Sequence, residues 1–332
     1  MYYENKLDSI KDIFGAKEAV LKDGFLFVDG RRYPVVDDVV IVSEPGEYTE
    51  FVKQRLAGAG QVVAGAASEI AGDIQYTFGE EWKNYPGILP EHEKEFNQYF
   101  DLVPQQTLEG KRACDLGCGM GRWSYFLSRT AKEIVLVDFS DAIFVARRNL
   151  KDAENCLFFM GDLKKLPFRE DFADIIFSLG VLHHLPTDCL DEVRKLKRYA
   201  PENLIFLYYA LDNRPFYFRA ALGLVTLLRG LVSRIKNGAF RTAFSVAGTY
   251  FIYLPLVWLG KLLKPFGLSS NVPLYDFYKD KSPARIEQDV YDRFFTRIEQ
   301  RVTRKDILRL KDTFSSVTVS DNLPYWHFLC ER

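Results

Sequence analysis

The chain is organised around residues 112–122, RACDLGCGMGR. A short apolar run ends in Asp115. Gly117, Gly119 and Gly121 follow at alternate positions, and a helical pattern runs from Arg122 to about Thr130. This reads as strand, tight turn and helix, with glycine where backbone must approach a ligand that any Cβ would strike. Seventeen residues beyond Gly121, a second apolar run ends in Asp138. An acid at that place can accept hydrogen bonds from both hydroxyls of a ribose. The first unit thus suits a nucleoside-like ligand, and the next strand reads its sugar.

At DLGCGMGR and VLVDFS the chain resembles the class I S-adenosylmethionine-dependent methyltransferases, and within them the broad quinone-biosynthesis-like group acting on small molecules. The rival is a dinucleotide-binding turn, G-x-G-x-x-G, which asks for glycine at position 122, where this chain has Arg122. An ordinary βα turn explains one glycine but not three, with an acid before them and Asp138 beyond. The resemblance implies S-adenosylmethionine as cofactor and S-adenosylhomocysteine as product. It assigns Gly117, Gly119 and Gly121 to the methionine end and Asp138 to the ribose. It gives Asp162 to the adenine amino group and the Leu163 amide to a ring nitrogen. Asp115 is expected to meet the methionine amino group directly or through water.

From residue 111 to 213 strands and helices alternate, the pattern of a doubly wound, mostly parallel sheet in an α/β fold. Seven strands are expected, with helices on both faces. Apolar runs at 156–160, 174–180 and 204–209 supply strands three to five. Ligands of such sheets lie at the carboxyl ends of the strands, where these motifs fall. The last 50 residues, 283–332, return to the fold. Thr303 and Asp306 start a helix as a capping box, and 316–320 and 325–330 read as two final strands. The resemblance makes these a hairpin at the sheet edge.

Residues 1–50 form a small β-rich segment. Two strands flank Asp29-Gly30, a strong hairpin signal, and 39–42 adds a third. DGRRYPVVDDVVIV resembles the end of the zinc ribbon that precedes many bacterial methyltransferases. No cysteine precedes Cys114, so the segment is read as a metal-free relic, and no metal site is expected elsewhere. Residues 51–110 are a helical linker and lid. They begin with a small-residue stretch reaching Gly72, helical in part, and continue through QYTFGEEW. The resemblance makes Tyr76, Phe78 and Trp82 lid residues, while packing of a helix onto the sheet is the plainer alternative. The five cysteines are odd in number and sit mostly in apolar runs, which suits a reducing compartment. Residues 1–14 contain no apolar core, so no secretory signal is expected and the location is cytoplasmic.

Residues 214–282 break the pattern. The part 214–268 carries eight Arg or Lys and no Asp or Glu, in a chain of net charge -1. On a helical wheel Arg219, Arg229, Arg234 and Lys236 fall opposite Leu224, Leu228, Leu231 and Ile235. Residues 242–260 are uncharged, but Gly248 and Pro255 interrupt them. An interfacial helical insert on the anionic inner face of a membrane is therefore favoured over a span. A cap packed on the sheet or on a second subunit is the alternative. Nucleic-acid binding would leave the leucines without a role. The acceptor is expected to be small and apolar or lipid-linked.

Methyl transfer is an in-line displacement that needs alignment more than covalent chemistry. A base is required only for an acceptor that must lose a proton. His183 and His184 are the candidates, with shaping of the site as the alternative role. Tyr76, Tyr291 and Arg293 are weaker substrate-side candidates, for which packing or a place on the surface is the favoured reading. A reading of a different class is a catalytically silent cofactor-binding scaffold at a membrane surface.

Overall fold

The computed structural model describes residues 2–60 and 68–332. The middle of the small-residue stretch, 61–67, lies outside them. Eleven strands form one sheet: β1 (Ala19–Lys22), β2 (Phe25–Val28), β3 (Arg31–Val36), β4 (Val39–Ile41), β5 (Arg112–Leu116), β6 (Glu133–Asp138), β7 (Cys156–Met160), β8 (Ile175–Leu179), β9 (Glu202–Phe206), β10 (Ser316–Val319) and β11 (His327–Glu331). Their order is β1-β2-β3-β4-β7-β6-β5-β8-β9-β11-β10. The sheet is thus wider than the seven strands expected. The N-terminal hairpin does not stand apart: β4 pairs in parallel with β7, placing Val40 opposite Phe159.

Strands β5 to β9 are parallel, and β11 runs antiparallel between β9 and β10. β7 and β8 are buried along their whole length. Apolar side chains on both faces can be buried only between two helical layers. Beneath one face lie α1 (Leu7–Phe14), α7 (Cys189–Leu196) and α13 (Arg304–Leu308). The other face carries α2 (Glu50–Gly58), α4 (Glu91–Tyr99), α5 (Arg122–Leu127) and α6 (Ala142–Asn149). The Thr303–Asp306 capping box is formed. The chain leaves β5 toward β6 and β7, then returns to β8 on the other side, so the strand order reverses beside β5.

Over this reversal sit α3 (Glu69–Asn84) and the insert: α8 (Phe216–Val232), α9 (Gly238–Gly248), α10 (Leu254–Leu263), the short α11 (Tyr275–Tyr278) and α12 (Pro283–Phe295). α9 and α10 join through a π-helical turn, Thr249–Tyr253, into one helix of 29 residues, Gly238–Phe266. Gly248 and Pro255 therefore do not interrupt it. A Cβ on Gly248 would lie 3.0 Å from Val290 of α12. The π turn lies just ahead of Pro255, which has no N–H to offer the ladder.

The basic residues of the insert are distributed differently from the wheel reading. Arg229 pairs with Glu299, Lys236 with Asp73 and Arg214 with Asp276. Arg241 is 1% exposed and donates to the carbonyls of Ile235 and Ser233. Of the eight basic residues of 214–268, Arg219, Arg234, Lys261 and Lys264 are exposed without an ion pair among the described residues. The leucine side faces outward: Leu224, Leu227 and Leu231 are 70–72% exposed.

Asp115 departs from its expected role. It is 1% exposed and accepts a 2.6 Å hydrogen bond from Ser124 Oγ, which fixes α5 to β5. Its carboxylate lies behind the glycine turn, not on the cavity described below. Burial pushes its pKa up from 3.8 to about 7. An acid whose native pKa is raised adds stability that is complete below its unfolded value and is lost as pH climbs through about 7. Urea unfolding at about pH 4 and about pH 8 should therefore differ by a few kcal/mol more in the natural chain than in Asp115→Asn, on the order of the linkage value. Equal pH slopes for the two proteins would contradict the assignment.

Candidate active site

The turn after β5 is fastened to the end of β6. The amides of Gly117 and Cys118 donate to Val137 O at 2.8 and 3.0 Å. Gly119 N donates to Asp138 Oδ2 at 2.8 Å, while Asp138 Oδ1 accepts from Ser140 N at 2.8 Å and Ser140 Oγ at 2.7 Å. Asp138 is 9% exposed, and that residual surface faces a cavity. Burial raises its pKa, and the three donated bonds oppose the rise. Oδ2 keeps acceptor capacity for a ligand hydroxyl.

Gly117 and Gly119 have φ of 80° and 53°, a region costly for any residue with a Cβ. Space adds a second demand. A Cβ on Gly117 would lie 2.4 Å from Val181 Cγ1, and one on Gly119 would lie 2.9 Å from Trp82 Nε1. The neighbours that exclude a Cβ are thus protein side chains, not only the ligand that the sequence pattern suggests. Trp82 reaches the turn from α3 and covers it.

The cavity has a volume of about 850 Å³ and is continuous from the glycine turn into the insert. Gly117, Gly119, Asp138, Asp162 and Leu163 line it at the strand ends; Phe78, Trp82, His184 and Arg293 line it above. Asp162 Oδ1 accepts from Lys164 N at 2.9 Å, and its side chain remains 12% exposed. Five expected residues lie off the cavity. Asp115 is one. Gly121 caps α5 and packs against Ala146. Tyr76 donates its hydroxyl to Lys236 O at 2.6 Å, which ties α3 to the insert. Tyr291 is fully buried, 5.3 Å between ring centroids from Phe295. His183 is fully buried between His184 and Tyr208, with centroids 4.0 Å away on each side. Burial pushes its pKa well below the usual imidazole range, so it stays neutral and acts in packing.

His184 differs. Its Nδ1 lies 2.8 Å from Ile298 O. A carbonyl only accepts, so Nδ1 carries the proton and Nε2 presents a lone pair. Nε2 has no hydrogen-bond partner among the described residues and lies 3.9 Å from Asp292 Oδ1. Tyr208 donates its hydroxyl to Asp292 Oδ2 at 2.5 Å, and Thr296 Oγ1 donates to Oδ1 at 3.1 Å. The arrangement can accept a proton at Nε2 and hold the resulting charge beside a carboxylate.

Sequence reasoning missed Asp292 and Tyr208, and also Glu81 and Arg122. Glu81 is 2% exposed, with Oε2 unpartnered, and burial holds its carboxyl well above the usual range. Arg122 stands over the rings of Trp123 and Trp82, with Nη1 buried and unpartnered. Both line the cavity near the glycine turn. One buried acid and one buried guanidinium with free valences fit the ammonium and carboxylate of a methionine end. Asp138 and Asp162 fit the hydroxyls and amine of an adenosine. The donor set therefore suits S-adenosylmethionine.

Comparison with known proteins agrees over the strands that build this site. A family model described as a methyltransferase domain matches residues 113–199. The human probable tRNA methyltransferase 9B is 28% identical over 136 residues, 40% of this chain and 28% of that protein. A fatty-acid O-methyltransferase of Mycolicibacterium smegmatis is 32% identical over 126 residues, 36% of this chain and 43% of that protein. The chain thus spans less than half the length of these curated relatives. Among solved structures, a Haemonchus contortus phosphoethanolamine N-methyltransferase, in complex with phosphoethanolamine and S-adenosylhomocysteine, is 17% identical with a TM-score of 0.35, over 42% of this chain and 33% of that one. Residues 113–199 of this chain are a methyltransferase domain.

Proposed function

We propose that this chain transfers a methyl group from S-adenosylmethionine to a small, apolar or lipid-linked acceptor at the inner face of a membrane. The observation that carries the reading is one continuous cavity, which joins the strand ends around Gly117, Asp138 and Asp162 to the apolar insert. Asp138 and Asp162 would hold the adenosine, and Glu81 with Arg122 the amino-acid end. When bound, the cofactor supplies an electrophilic methyl on a positively charged sulfur. Trp82 and Phe78 exclude water above it. His184 would take the proton of an acceptor that must lose one, with Asp292 balancing the imidazolium. Of the acceptors named for the relatives, a fatty acid matches this apolar lining in chemistry.

The surface of the insert supports the membrane part. Leu224, Leu227, Leu231, Phe251, Trp258, Leu262 and Phe266 are 67–81% exposed. An apolar face of this extent rarely stays in water, and burial of each such side chain is worth about 1.5–3 kcal/mol. Arg219, Arg234, Lys261 and Lys264 can meet anionic headgroups. The helix Gly238–Phe266 is long and apolar enough to cross a membrane. Its packing through Gly248 on Val290 holds one side to α12, which favours lying in the interface over crossing.

Calorimetry with S-adenosylhomocysteine should give saturable binding that weakens by about 1–3 kcal/mol in Asp138→Asn; unchanged affinity would remove Asp138 from the site. Binding by the natural chain without methyl release on any lipid extract would favour a silent scaffold. His184→Gln is expected to keep that binding while slowing methyl release about 100-fold or more on an acceptor that loses a proton, and full activity would leave His184 a shaping role. Vesicles containing anionic lipid should carry the protein down on sedimentation and lose part of it in salt, since each basic residue contributes about 1 kcal/mol there. Sedimentation with neither anionic nor neutral vesicles would restrict the insert to capping the site.

A further inference from the structure

The cavity contains a cation that is paired with no carboxylate among the described residues. α12 presents Arg293 to the cavity one residue after Asp292. Its Nε is buried without a partner, and the guanidinium makes no hydrogen bond or ion pair among the described residues. The groups that act on it most are the phenols of Tyr253, Tyr278 and Tyr208, and the Glu299 carboxylate. Burial keeps these phenols neutral. Glu299 is already shared between Arg229 and Arg301, with Arg301 Nε 2.7 Å from Oε1. Three arginines thus surround one carboxylate. Asp292, the residue before Arg293, accepts from Tyr208 and lies 3.9 Å from His184 Nε2, and it makes no ion pair with Arg293 among the described residues.

An enclosed, unpaired guanidinium is costly unless an anion arrives with the ligand, and its planar fork matches a carboxylate or phosphate. Beyond Arg293 the lining becomes apolar through Leu256, Val225 and Leu222, and reaches the outward-facing Leu224, Leu228 and Ile252. We propose that Arg293, with Arg301 beside it, is the headgroup site for an anionic amphiphile whose chain leaves along α8 and the π turn. The ligand chemistry is a carboxylate or phosphate on a long alkyl chain. This rests on the methyltransferase reading only in taking the amphiphile as acceptor; the anion site itself stands on charge and enclosure.

The test is calorimetry of the full chain with S-adenosylhomocysteine present, using dodecanoate, dodecyl phosphate and dodecanol. At least one anion should bind saturably, one per chain, about tenfold or more tighter than the alcohol, as a charge-assisted pair requires. The tighter anion tells a fatty-acid-like ligand from a phospholipid-like one. Arg293→Gln should lose the preference for the anion and keep alcohol binding, and Arg293→Lys should recover part of it. Equal binding of alcohol and anions, no binding of any, or a preference that survives Arg293→Gln would overturn the proposal. If Arg293→Gln does not fold, the comparison of anion with alcohol on the natural chain still decides. Loss of S-adenosylhomocysteine binding by the natural chain, with the anion preference intact, would instead sink the methyltransferase reading alone.

Discussion

The site depends on one backbone-to-carboxylate bond, Gly119 N to Asp138 Oδ2 at 2.8 Å. It ties the turn leaving β5 to the end of β6, so two neighbouring strands present a single rigid edge at the reversal of strand order. Removing it would free a buried amide and a buried carboxylate together, each costly without a partner. Ser124 on Asp115 does the same one layer deeper, fixing the helix that follows the turn. The two acids of the motif are therefore divided: Asp138 keeps surface toward the cavity, and Asp115 is spent on the scaffold.

That division marks how far the sequence could be read. Strands β5 to β9 were legible because strands buried on both faces need short apolar runs, here separated by helical patterns and turn residues. The glycine turn was legible because positive φ and crowding leave few alternatives to glycine. Asp115 was misread because an acid at a strand end looks the same whether a ligand or Ser124 takes it. His183 and His184 are adjacent in sequence but differ in what packs on them: Tyr208 closes over one, and Ile298 O fixes the tautomer of the other. Asp292 sits between two residues that the sequence did single out, yet its use depends on Tyr208, 84 positions away.

The insert shows the same limit in its charges. The helical wheel set leucines opposite basic residues over 219–236, but α8 ends at Val232 and only Arg229 of those four basic residues is buried. Glu299 and the carbonyls of Ser233 and Ile235 draw Arg229 and Arg241 inward, and the leucines are left outside. The apolar face therefore lies over the mouth of the same cavity that begins at the glycine turn. An acceptor reaching the methyl end through that mouth would pass along apolar side chains into a cavity lined by protein, where electrostatic contacts are stronger than in water.

The most direct measurement is a crystal structure of the chain grown with S-adenosylhomocysteine. The account predicts density for the nucleoside against Gly117 and Gly119, with its ribose on Asp138 and its adenine toward Asp162 and Leu163. Density elsewhere in the cavity, or a glycine turn that stays covered by Trp82 alone at saturating nucleoside, would contradict it.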